Sequence, residues 1–236
     1  MITHVRVNRG LLAAAEKRLL VRIAAALPRW VTSDQLTLLA LGAMALCGAG
    51  FALARWEPRA LWLVIVGLAV NWFGDSLDGT LARVRKLERP RYGYYIDHAL
   101  DIAGTALLMS GLALSGYMSP LVALAALAAY LMVAGEVYLA TAAGRDFTMS
   151  VAGVGPTELR FLLAIGALAL FRDPHLTIGD IGRFRVFDVG GVLATLGLLA
   201  AFVTAVVRNG RGLAAAEGRH RSCGRTKRGL EEVGLG

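Results

Sequence analysis

Cysteine is nearly missing from this chain. Cys47 and Cys223 are its two, too few and too differently placed to form a disulfide framework. Neither is near the densest group of acidic residues, so a thiolate-rich metal site is excluded there. A cleavable leader is not expected from the first apolar stretch, because Glu16, Lys17, Arg18 and Arg22 interrupt it. No internal repeat is visible, which argues against a transporter built from two related halves around a midplane site. The net charge of +8 would fit nucleic acid only if the basic residues formed a patch of their own. They flank apolar runs instead, where anionic lipid headgroups attract each one by about 1 kcal/mol. Membrane lipids are the implied partner, and nucleic acid is not.

What the chain has in quantity is apolar sequence: 56% of its 236 residues are hydrophobic and its mean hydropathy is +0.58. The apolar runs approach the ~20 residues a spanning helix needs. The pattern predicts an all-α membrane protein with six spans, near residues 36–54, 60–82, 95–116, 119–143, 157–172 and 186–207, the fifth being short. Residues 1–34 read as an N-terminal segment, 35–208 as the six-helix domain, and 209–236 as a Gly- and Arg-rich tail. That tail lacks a periodic apolar face and is expected to be disordered. In the first segment Leu12, Leu19, Ile23 and Leu27 share one helical side with Arg18 and Arg22 opposite. This suits an interfacial amphipathic helix that Pro28 would end.

Basic residues near span ends mark the cytoplasmic side. Residues 1–34 hold six of them, the 83–91 loop holds Arg83, Arg85, Lys86, Arg89 and Arg91, and the tail from Arg208 holds seven. Residues 115–120 carry no charge, and residues 172–188 mix Arg172, Arg183 and Arg185 with Asp173, Asp180 and Asp188. Both termini and the acidic cluster that adjoins the 83–91 loop are therefore expected in the cytosol, in a multi-pass cell-membrane protein.

Beside these runs lie four carboxylates, in D-S-L-D-G-T-L-A-R from Asp75 and G-Y-Y-I-D-H-A-L-D ending at Asp101. A charge in the hydrocarbon region costs roughly 2.5 to 3.5 kcal/mol on insertion scales, so something cationic must hold these acids. Asp75 and Asp78 are three apart and Asp97 and Asp101 four apart, which places each pair on one helix face. Two such faces turned toward each other make an all-oxygen cage, suited to Mg²⁺ or Mn²⁺ and not to zinc. His98 would point about 100° away from Asp97 on a helix.

The two stretches resemble the signature of the CDP-alcohol phosphotransferases, integral membrane enzymes of phospholipid synthesis: D-x-x-D-G-x-x-A-R, then G-x-x-x-D-x-x-x-D. Asp75, Asp78, Gly79, Ala82, Arg83, Gly93, Asp97 and Asp101 match every fixed position, with a nine-residue gap between the halves. The resemblance implies transfer of a substituted phosphate from a CDP-linked donor to an alcohol, with release of CMP. It implies two divalent ions, one held by Asp75, Asp78 and Asp97 and one by Asp75, Asp97 and Asp101, with Asp101 as general base. Gly79 and Ala82 would let the headgroup approach the helix, Arg83 would bind phosphate, and Gly93 would admit the cytidine ring. A homodimer is implied too, with Gly104, Gly111 and Gly116 as small residues able to permit close helix packing.

Further residues carry weaker signals. S-D-Q-L-T, residues 33–37, resembles the family's P-N-x-x-T stretch, retaining Thr37 but placing Asp34 where the family has Asn; a helix cap at Ser33 or Asp34 explains it as well. Glu136 is an acid inside the fourth span, which makes it a functional-site candidate or else a structural partner for Arg160 or Arg145. Glu158 and Arg160, in G-P-T-E-L-R, open the fifth span and are candidates for substrate contact. D-H-A-L-D, with His98, and G-P-T-E resemble the ethanolamine and choline phosphotransferases, which use a CDP-amino-alcohol and diacylglycerol. The chain length and six-span plan resemble instead the bacterial phosphatidyltransferases, which use CDP-diacylglycerol and a small polar alcohol. An ion-coupled transporter and a catalytically silent scaffold are the rival classes.

Overall fold

A computed structural model describes residues 13–143, 156–179 and 182–233. They form helices α1 (Ala13–Ala26), α2 (Ser33–Leu53), α3 (Leu61–Arg85), α4 (Pro90–Ser115), α5 (Pro120–Ala142), α6 (Pro156–Leu170) and α7 (Val186–Val233). A 3₁₀ turn, Pro58–Ala60, leads into α3, and a hairpin of β1 (His175–Ile178) and β2 (Gly182–Arg185) joins α6 to α7. Five segments are long and apolar enough to cross a membrane: Ser33–Leu53, Pro58–Arg85, Pro90–Ser115, Pro120–Ala142 and Val186–Ala216. The fifth apolar run of the sequence is α6, whose 15 residues rise about 22 Å, short of the ~30 Å hydrocarbon core. The chain is thus a multi-pass helical membrane protein.

The bundle is built on α2, with α3 and α4 against it and α5, α6 and α7 added outside. Backbones touch where α2 crosses α4. A Cβ on Gly111 would lie 2.0 Å from the Gly48 carbonyl oxygen, and one on Gly48 would lie 2.4 Å from that of Leu107. A Cβ on Gly104 would in turn meet Met44 of α2 at 3.2 Å. This corrects one expectation: Gly104 and Gly111 close helices within the chain, and their small size is not left for a subunit contact. Gly116 sits at φ 78°, ending α4 in the left-handed conformation that glycine adopts without strain.

Two apolar clusters lie along this scaffold. One gathers Cys47, Phe51, Leu61, Val64, Leu68, Leu108, Leu112 and Phe187, with the Phe51 and Phe187 rings edge to face at 5.4 Å. The other gathers Leu20, Ala24, Val31, Leu36, Leu77 and Leu81 at the far end of α3, and Asp75 falls on α3 between the two. The helix foreseen near the N-terminus is therefore α1, but Leu20 and Ala24 are its buried residues while Leu19 stays 49% exposed. Its apolar side packs on α3. Arg85 fixes that arrangement, donating to the carbonyls of Val31 at 2.5 Å, Pro28 at 2.9 Å and Leu27 at 3.0 Å, all in the link between α1 and α2.

Helix ends set where the acids sit. The cap of α2 is Thr32, whose Oγ1 accepts from Gln35 N while the Gln35 side chain accepts from Thr32 N. This reciprocal box lies one residue before the cap expected at Ser33 or Asp34. Lys86, at φ 56°, ends α3, and Pro90 begins α4, so both acidic stretches are helical throughout. At the other end of the chain α7 continues as helix to Val233, which differs from the disorder expected for 209–236. Leu213, three alanines and Glu217 favour helix in the turns just after Arg208.

If the α2–α4 crossing sets the scaffold, Gly111→Ala should part the helices and cost about 1–3 kcal/mol, read as a lower melting temperature in detergent. Gly135→Ala, whose Cβ would meet nothing within 4 Å, should show no such loss.

Candidate functional site

Three helices bring the polar residues together. From α3 come Asn71, Asp75 and Asp78 at intervals of one turn, from α4 come Asp97 and Asp101, and from α6 comes Arg160. Asp75, Asp97 and Asp101 each offer an oxygen atom to a group whose members all lie within 4.8 Å of one another, and all three are half-buried. At an effective dielectric of about 20, two full charges ~5 Å apart repel by about 3 kcal/mol. Three carboxylates gathered so closely need positive charge among them. An oxygen-only donor set of this kind fits a hard divalent cation such as Mg²⁺ or Mn²⁺.

Asp78 stands apart from that group. Its Oδ1 accepts the Gly79 N–H, and its Oδ2 is 3.0 Å from the Thr37 hydroxyl, while its own carbonyl accepts from Ser33 Oγ at 2.7 Å. Thr37, expected near the nucleotide, therefore bridges α2 to α3 through this aspartate. Its neighbour Asp34 pairs with Arg89, whose guanidinium also lies 4.4 Å from the centre of the Tyr92 ring.

Arg160 brings a positive charge to the cluster. Its terminal nitrogen donates to Asp75 Oδ2 at 2.6 Å and its Nε donates to Asn71 Oδ1 at 2.7 Å. Asn71 is buried, and its Nδ2 donates to the Ala40 carbonyl at 3.0 Å. Asn71 was missed in the sequence, although a polar residue four before Asp75, in an apolar run, was the available signal. Tyr130, which hydrogen-bonds Thr105, and Tyr138 were missed too; both lie on α5 within electrostatic range of Asp97 and Asp101.

The remaining expected residues sit as follows. Arg83 is exposed and curls back along α3, donating to Thr80 Oγ1 at 3.1 Å, and a Cβ on Gly79 would lie 3.4 Å from its guanidinium. Ala82 is half-buried, and a Cβ on Gly93 would meet nothing within 4 Å. Glu158 lies on α6, with its side chain outside the described residues. His98 is buried, with Nδ1 2.7 Å from the Tyr94 carbonyl oxygen and its ring between those of Tyr94 and Tyr138. Glu136 is buried against α7 and accepts from Asn209 Nδ2 at 2.7 Å. Of its two expected partners, Arg160 is engaged by Asp75 and Arg145 lies outside the described residues.

A family model described as CDP-alcohol phosphatidyltransferase matches residues 26–208, a range that contains all four aspartates, Asn71 and Arg160. Among solved structures, the chain is similar to a crystal structure of Mycobacterium tuberculosis phosphatidylinositol phosphate synthase with CDP-DAG bound. The TM-score is 0.60 at 16% sequence identity, over 81% of this chain and 94% of that one; at that identity the likeness is one of fold. A comparison with curated protein sequences found no match.

The Glu136–Asn209 bond joins α5 to α7, and Glu136 is not one of the three acids that meet in the cluster. Glu136→Gln keeps an acceptor for Asn209 and should leave turnover unchanged and melting within about 0.5 kcal/mol. Glu136→Leu strands the Asn209 amide and should cost about 1–3 kcal/mol, as thermal denaturation in detergent would show.

Proposed function

The chain belongs to the CDP-alcohol phosphatidyltransferase family, enzymes that transfer phosphate-containing groups, and on that footing we propose that it moves the phosphatidyl group of CDP-diacylglycerol to the hydroxyl of a small polar alcohol. The observation that carries this reading is the meeting of Asp75, Asp97 and Asp101 within 4.8 Å, at the motif positions where such chemistry needs them. The similar fold of a synthase with CDP-DAG bound supports the choice of donor.

In the proposed reaction the acceptor oxygen attacks the phosphorus that carries diacylglycerol. Its O–P bond forms as the bond to the bridging oxygen of the diphosphate breaks, and CMP leaves with that oxygen. Asp101 takes the proton of the attacking hydroxyl. Asp75, Asp97 and Asp101 would hold divalent ions, Mg²⁺ or Mn²⁺ and two in number, with Asp78 one turn along α3 as the fourth ligand. Such ions, when bound, stabilise charge on the transferring phosphoryl group and on the leaving oxygen. Arg83, exposed beside Gly79, meets the diphosphate, and the open space at Gly93 leaves room for the cytidine ring. Thr37 holds α2 to the site through Asp78. Glu158 and Arg160, on α6, border the substrate.

The aspartate end and both termini are assigned to the cytosol on the distribution of Arg and Lys, which would put the site where nucleotide-linked substrates are found. A homodimer belongs to the same reading, with its contact outside the faces that Gly104 and Gly111 close against α2. A second reading is supported by D-H-A-L-D and G-P-T-E: a CDP-amino-alcohol as donor and diacylglycerol as acceptor.

Purified protein with Mg²⁺ should release CMP from CDP-diacylglycerol when candidate alcohols are scanned. Release from CDP-ethanolamine or CDP-choline instead would select the second reading, and release from no donor would contradict both. Asp101→Asn should lower turnover by roughly 10²–10⁴-fold while Mn²⁺ binding is partly retained. Chelation of divalent ions should abolish turnover, and re-addition of Mg²⁺ should restore it.

A further inference from the structure

We infer that Arg160 is a resident counter-cation of the aspartate cluster, seated on Asp75 by Asn71 and displaced when a divalent ion binds. The inference rests on the proposed metal role of Asp75, Asp97 and Asp101 and adds a residue that competes with the ion for one of those ligands.

Its location separates this pair from an ordinary surface ion pair. The Arg160 and Asp75 side chains are only 16% and 13% exposed, against 52% and 44% for Arg89 and Asp34. Exposed pairs contribute little, whereas a charge withdrawn from water must be matched by a partner. Arg160 comes from α6, 85 positions along the chain from Asp75, so no local helical spacing produces the contact.

Asn71 makes the seat specific. Its Nδ2 is committed to the Ala40 carbonyl at 3.0 Å, which leaves Oδ1 as the group that faces the Arg160 Nε at 2.7 Å. Both bonds agree on a single orientation of the amide. The guanidinium is then held in a fork, with Nε on Asn71 and a terminal nitrogen on Asp75 Oδ2. Asn71 is a positioning residue in this arrangement, acting on Asp75 through Arg160.

The guanidinium on Asp75 offsets part of the negative charge there, and a divalent ion among the carboxylates offsets more. The ion and the guanidinium repel each other and both call on Asp75. In the absence of donor, Arg160 should therefore keep the carboxylates together and lower their affinity for the ion. Once released, the guanidinium lies beside a site that is to receive a diphosphate, an anion its planar fork suits.

The test is Mn²⁺ binding to the purified full-length protein without nucleotide, followed by electron paramagnetic resonance of free Mn²⁺. Arg160→Gln should tighten binding by about tenfold, because a neighbouring positive charge is removed. Asn71→Ala, which loosens the seat but keeps the charge, should tighten it by about two- to threefold, and Arg160→Lys should stay near wild type. Unchanged or weaker binding in Arg160→Gln would overturn the inference. Should that variant not fold, unchanged or weaker binding in Asn71→Ala overturns it just as well. Wild-type protein that binds no Mn²⁺ would remove the metal role itself, whereas equal binding by wild type and variants would remove only the competition.

Discussion

Mutual repulsion among carboxylates held within 5 Å of one another in a membrane-embedded bundle is the constraint on which the rest of this structure depends. Asp75, Asp97 and Asp101 would separate if their helices were free to turn. They are not free, because α2 meets α4 backbone to backbone at Gly48 and Gly111 and α3 is pinned to α2 through Asn71–Ala40, Asp78–Thr37 and Asp78–Ser33. Apolar packing thus stores the acids in a geometry that electrostatics alone would disperse. That is the condition under which a multivalent cation binds well.

The same logic explains the placement of the other polar groups. Three charges near the bundle interior have partners inside the protein: Arg160 with Asp75 and Asn71, Glu136 with Asn209, and Arg85 with carbonyls of the link from α1 to α2. At the opposite end of the bundle the hairpin pairs Leu176 with Phe184 and His175 with Arg185, alternating apolar and basic pairs as a strand ladder does. There the His175 N–H, donating to Asp173, and the nearby Arg183 guanidinium lower the pKa of that carboxyl. Burial thus goes with pairing inside the protein for Asn71, Glu136 and Arg160.

The acidic stretches were legible before any coordinates because their signal is local: spacings of three and four on a helix do not depend on tertiary context. Span positions were legible for a similar reason, since length and apolarity are properties of a segment. Long-range pairings were not. Nothing near Arg160 in the chain indicates Asp75 over Glu136, and the choice follows from which side of α6 packs against α3. Asn71 was overlooked because a single amide in an apolar run reads as noise until its partner is known. The cap moved from Ser33 to Thr32 because Gln35 completes a box only with Thr32. Gly104 and Gly111 show the same limit, for a small residue announces close packing without saying against what. The β-hairpin went unseen within a mixed-charge stretch whose alternation, from His175 to Arg185, is short.

Locating the ion itself tests the central claim most directly, by anomalous diffraction from crystals of the full-length chain soaked in Mn²⁺. Convergence of α3 and α4 on a divalent site predicts an anomalous peak bonded at about 2 Å to oxygens of Asp75, Asp97 and Asp101, with the Arg160 guanidinium withdrawn from Asp75. A peak elsewhere, or fully occupied Mn²⁺ with those three side chains turned from one another, would contradict it.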